Sequence, residues 1–131
     1  MNAQLHKDSP LRADGLQSVY LAEVGRPFAE RLEHLVASHT KPWRDSTNEE
    51  RLNGENGLLL TPTVDHLFDK GSISFEDKGD LIVSPVADRA SLVRMGIRPE
   101  ARVNVGVFSE GQRVFLEYHR ENVLRMSHRR R

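Results

Sequence analysis

The junction Leu58-Leu59-Leu60-Thr61-Pro62 constrains this chain more than any other stretch. The short, uniformly apolar run suits a buried strand. Thr61 is a good N-cap, and Pro62 fits the first helical position, where its missing N–H costs nothing. A strand therefore passes straight into a helix, and Gly71 stops that helix from the position after its C-cap. Upstream, Leu35-Val36-Ala37-Ser38 reads as a second short strand leading to His39 and ended by Pro42. The residues between, 44–57 (RDSTNEERLNGENG), are polar and rich in Asn and Gly, which favours a long loop. The order is strand, loop, strand, helix, an α+β arrangement.

At 131 residues and 14.9 kDa the chain is expected to be one domain, residues 15–131, after a flexible N-terminal arm over residues 1–14. A hydrophobic content of 37% excludes a wholly disordered chain. No run approaches the roughly 18 apolar residues of a membrane helix, and the N-terminus lacks the apolar stretch of a signal peptide, so a cytoplasmic protein without membrane contact is expected. The absence of cysteine removes disulfides, thiolate catalysis and Cys-ligated metals, leaving only O and N ligands for any ion. Nineteen basic residues balance nineteen acidic ones, so net charge names no partner. Distribution says more. Residues 65–80 hold five acids, and residues 113–131 hold six Arg, which suits a cation site beside a polyanion surface or, equally, an evenly solvated exterior.

The remaining pattern predicts a helix carrying Leu16, Val19, Tyr20 and Val24, then a second carrying Phe28, Leu32 and Leu35. Ile73 to Phe75 and Leu81 to Val83 read as a hairpin, Asp88 to Met95 as a short helix, and the alternating Val103, Val105 and Val107 as a strand. Ser109 and Gln112 form a capping box, from which a helix runs through Val114, Phe115 and Tyr118 toward Asn122, Arg125 and the basic end.

On the helix after Pro62, residues advance by about 100° each. Val64, Leu67 and Phe68 then share a buried face, and Asp65 and Asp69 lie together on one flank. Two carboxylates one turn apart repel, and a hard divalent cation would reverse that penalty. A solvated acidic flank is the plain alternative. His66 falls opposite the core, away from the pair.

The segments SHTKPW (38–43), NGLLL (56–60) and DHLFDKG (65–71) resemble the HNH endonuclease family, in its restriction-type branch, with SISFED, LIVSP and EYHRENV extending the likeness. The resemblance implies a ββα-metal core over about 34–71 with an added hairpin and flanking helices, and a metal-dependent hydrolysis of DNA phosphodiester bonds. It implies His39 as the general base that activates water, a role an imidazole can fill near neutral pH. Asn56 would either orient that base or reach the metal. Asp65 takes the place many members fill with His, so the ion would rest on Asp65, Asp69 and Asn56, with His66 as a surface or substrate-contacting residue. Mg²⁺, which keeps several waters, is expected ahead of Mn²⁺ or Ni²⁺.

Lys41, Arg44, Arg51, His66 and Lys70 are placed to meet the phosphates of double-stranded DNA, with Arg120, Arg125 and Arg129 to Arg131 extending the footprint. Trp43 would stack on a base or pack the loop. Two departures stand out. Ser38 occupies a position where many members carry an Asp or His ligand, and the upstream stretch YLAEVGRPFAERLEHL lacks the family's usual Cys and Thr-Gly. These favour, as an alternative, an inactive scaffold that binds DNA or regulates. Cutting both strands would be simplest for a homodimer.

Overall fold

A polar chain end closing on a leucine run gives the first layer. Gly57–Leu60 is wholly buried and forms a central strand, β3, taking Val36–His39, β2, antiparallel on one edge and Gln17–Ser18, β1, parallel on the other. The β2 register pairs Val36 with Leu60 and His39 with Gly57, so His39 sits at the strand's last rung. A computed structural model describes residues 35–100 and 102–127, together with the backbone of 17–18. The expected N-terminal arm, most of the two expected N-terminal helices, and Arg129 to Arg131 lie outside these residues.

Leu58 and Leu60 project from one face of β3 into the main core, and Leu59 from the other. Thr61 then caps the helix Pro62–Asp69, α2, its hydroxyl accepting from the Val64 N–H at 3.4 Å. Val64, Leu67 and Phe68 are buried, as the helical spacing predicts. The helix ends in a Schellman turn: Gly71 N–H donates to Phe68 O at 3.2 Å and Ser72 N–H to Leu67 O at 2.9 Å. Gly71 has φ +79°, and a Cβ there would strike the Val123 carbonyl oxygen, so both conformation and space demand glycine.

The expected hairpin forms from Ile73–Phe75, β4, and Leu81–Val83, β5, with Ile73 facing Val83. Arg89–Arg94 forms α3, and the capping box of Ser109 with Gln112 opens the long helix Glu110–Asn122, α4. The core gathers Phe68, Phe75, Phe108, Ile73, Leu92, Ile97 and Leu116 under the first sheet. The α+β, ββα arrangement is as expected, and no described helix is long and apolar enough to cross a membrane.

Four expectations are corrected. Gln17 and Ser18 are strand, not helix, because the open edge of β3 offers partners to their backbone. The loop after Pro42 is not featureless: a 3-10 turn, Trp43–Asp45, precedes the helix Asn48–Leu52, α1, and a second 3-10 turn, Gly54–Asn56. Thr47 and Glu50 close a reciprocal capping box that starts α1.

Val103 to Val107 make only an isolated bridge, Asp80 with Asn104. The Asn104 side chain takes the Gly106 N–H at 2.8 Å and donates to Asp80 and Lys78 O, turn chemistry that displaces the ladder. Finally, α4 stops at Asn122, and Arg125 lies beyond it.

Candidate active site and adjoining groove

Strand β2 delivers His39 to the mouth of the loop that α1 closes. Its Nε2 lies 3.1 Å from the Arg51 carbonyl oxygen. A carbonyl can only accept, so Nε2 carries the proton and Nδ1 the lone pair in the neutral ring. The tautomer is thereby set by a backbone atom. Trp43 meets the His39 ring edge-on, with centroids 5.5 Å apart, and the Arg51 guanidinium lies 4.4 Å over the Trp43 ring. Arg51 also donates through Nε to Trp43 O at 2.9 Å. Trp43 therefore packs the loop against His39, although it remains partly exposed.

Asn56 is fully buried and its amide is spent inside the loop. Oδ1 accepts the Lys41 N–H at 2.8 Å, and Nδ2 donates to Glu50 O at 3.1 Å, with Ser46 Oγ at 3.5 Å. These bonds tie the start of the loop to α1, whose next residue, Arg51, holds His39. Asn56 thus bears on His39 through the backbone of α1. Lys41 Nζ pairs with Glu50 at 3.0 Å and lies 4.9 Å over the Tyr118 ring. The Thr47 backbone N–H, then Lys41, holds the Glu50 carboxyl below the usual range.

Helix α4 braces the same loop at two points. Tyr118 donates to Asp45 at 2.8 Å, and Ser109 donates to Glu55 at 2.7 Å. The helix passes Glu55 so closely at Gly111 that a Cβ would overlap its carboxylate.

Asp65 is half-buried on α2 and Asp69 is exposed one turn later. Among the described residues no three His, Asp or Glu side chains come together as a ready metal cage. The donor set that remains, two carboxylates at neighbouring helical positions, suits a cation that keeps most of its water rather than one held by an all-protein shell. Ser38 is buried, paired with Leu58 in the sheet.

The expected phosphate-facing residues divide. Lys41 and Arg51 are committed within the loop. Arg44, His66 and Lys70 instead line a groove of about 780 Å³, together with Asp69, Asp45 and Arg125.

Sequence reasoning missed several residues here. Glu50 was visible as the fourth residue of the Thr47 capping box, whereas Asp45 and Glu55 were not, because their partners on α4 are far away in sequence. It also missed His119. That ring is buried, stacks on Phe68 at 3.8 Å, and bonds Phe68 O and Ser74 Oγ, each at 2.8 Å. Burial, with Arg120 adding to it, pushes its pKa down to about 4.

No curated protein matches this chain. Residues 21–76, which include β2, the loop, β3, α2 and β4, match the family model for HNH endonuclease.

Proposed function

We propose that this protein is a metal-dependent endonuclease that hydrolyses phosphodiester bonds in double-stranded DNA. The family domain supports nuclease activity on DNA, and HNH endonucleases generally use a divalent ion. The observation that carries the reading is the His39 ring at the end of β2, its Nε2 held by the Arg51 carbonyl oxygen at 3.1 Å. In this reading Nδ1 of His39 takes a proton from water, whose oxygen forms the new bond to phosphorus as the 3′ oxygen leaves. The imidazolium that results keeps its Nε2–H on the carbonyl, so proton uptake needs no movement of the ring. Asn56 and the Thr47 capping box keep that carbonyl in place. Asp65 and Asp69 would hold the ion, Mg²⁺ by its tolerance of retained water, and it would supply positive charge to the phosphate and the leaving oxygen.

Supercoiled plasmid incubated with Mg²⁺, Mn²⁺, Ni²⁺ or EDTA tests this. Wild type nicks or linearises the plasmid only with a divalent ion, and His39→Ala loses at least about 10²-fold in rate while remaining folded by circular dichroism. Folded wild type that cuts under no condition overturns the reading. That outcome would favour the inactive scaffold, to which the buried Ser38, standing where many members place a ligand, already points.

A further inference from the structure

We infer that the groove between the Trp43–Asp45 turn, the end of α2 and the segment after α4 seats the sugar-phosphate backbone of duplex DNA beside the scissile bond, with Arg44, Lys70 and Arg125 as its phosphate contacts. The inference rests on the nuclease reading and adds to it a binding surface that lies partly outside the family-matched residues.

The three cations come from positions far apart in sequence and meet only in the fold, along one mostly polar groove of about 780 Å³. That volume is ample for a segment of strand. Among the described residues none of their side chains has a hydrogen-bond or ion-pair partner, in contrast to Lys41, which pairs with Glu50, and Arg120, which pairs with Asp77 at 3.0 Å. A cation left without a partner costs nothing to transfer from water to phosphate beyond its own hydration, whereas Lys41 would first have to break its pair. Of the two acids in the groove, Asp45 is bonded to Tyr118, and Asp69 belongs to the carboxylate pair proposed to hold the ion, where a bound cation would offset its charge.

Arg125 is presented on a fixed base. Its N–H donates to Gly71 O at 2.9 Å, and its carbonyl accepts from Ser84 Oγ. The anchored backbone fixes where this side chain starts, and the planar guanidinium fork then loses less freedom for each hydrogen bond it makes to phosphate oxygens than an ammonium would. The groove also adjoins the chemistry: Pro42 and Arg44 follow closely on His39, and Asp69 lines it.

The test measures binding of a labelled duplex in EDTA across a salt series, so that cleavage does not intervene. Arg44→Ala/Lys70→Ala/Arg125→Ala is compared with a control of equal charge change at exposed sites elsewhere, Lys78→Ala/Arg89→Ala/Arg102→Ala. The groove variant is expected to bind at least about tenfold more weakly and to lower the slope of log K against log salt by about 2.7, roughly 0.9 for each phosphate no longer neutralised. The control should change the slope far less. Lys70→Glu alone, a single exposed change that leaves the fold intact, should also weaken binding.

Equal effects of the two triple variants, or an unchanged groove variant, overturn the inference, even where the wild type cuts DNA. Wild type that binds through the groove residues but never cuts supports the groove while removing the nuclease reading. Wild type that binds no duplex removes the groove.

Discussion

The loop from Thr40 to Asn56 and the core around Phe68 each close on a buried polar side chain, but by opposite means. Asn56 sits where apolar contact is scarce, and its amide replaces a core: three neighbours along the loop bond to it. His119 sits where apolar contact is dense, and its ring behaves as an aromatic first, stacked on Phe68, with two hydrogen bonds satisfying its nitrogens. The loop is thus held by directional bonds, which fix atoms such as the Arg51 carbonyl in place. The core is held by apolar burial, which is forgiving of small shifts. The His39 ring, which meets the Arg51 carbonyl through one particular nitrogen, sits beside the first kind of structure.

The largest expected effect comes from breaking the loop's clasp. Asn56→Ala leaves the Lys41 N–H and the Glu50 carbonyl without their partner, which should cost about 3 kcal/mol in denaturant unfolding. Cleavage should fall with it, because α1 no longer holds the Arg51 carbonyl against His39. A variant that stays within about 1 kcal/mol of wild type yet stops cutting would instead place Asn56 in the chemistry itself, as base-orienting group or metal ligand.

In the core, His119→Phe keeps the stack and loses both hydrogen bonds, at a cost of about 2 kcal/mol at neutral pH. The pH dependence separates it from the loop variant. The folded pKa of His119 is lowered from 6.5 to about 4, so folding favours the neutral ring. Its contribution is complete above pH 6.5 and is lost as pH falls toward 4, a difference worth roughly 3 kcal/mol. Wild type should therefore lose more stability than His119→Phe over that interval. Parallel melting curves for the two proteins between pH 7 and 4 would show that His119 does not carry the acid sensitivity.

The same contrast explains what was legible beforehand. The face of α2 could be read because Val64, Leu67 and Phe68 are apolar and the acids fall clear of them. The face of α4 could not be read in full. Its buried positions, Gln112, Phe115, Leu116 and His119, follow helical spacing, but the outer two are polar, and the apolar Val114 is exposed. In the loop the Thr47 to Glu50 signature was present yet masked by an otherwise polar composition, while the braces Tyr118 to Asp45 and Ser109 to Glu55 link residues whose proximity no local pattern encodes. The place of His39 at the end of its strand and the strand-to-helix junction were readable because each depends on neighbours in sequence. The division of the basic residues into committed and available ones was not, since it depends on which acids lie within reach.

The smallest expected effect probes the joint between the two regions. Gly111→Ala places a methyl group where the Glu55 carboxylate lies. Because that carboxylate ends a flexible side chain, it can swing away, losing its bond to Ser109, worth about 1 kcal/mol. Alanine recovers a comparable amount, since it is better than glycine within a helix by up to about 1 kcal/mol. Global stability should therefore change little. Local protection should not stay constant: amides of residues 54–56 should exchange faster in the variant, while those of α4 keep their rates. Since Asn56 ends that turn, plasmid nicking should fall by a few-fold. Exchange that stays unchanged at 54–56 would mean that Asn56 alone holds the loop, and that the brace from α4 adds nothing to the placement of His39.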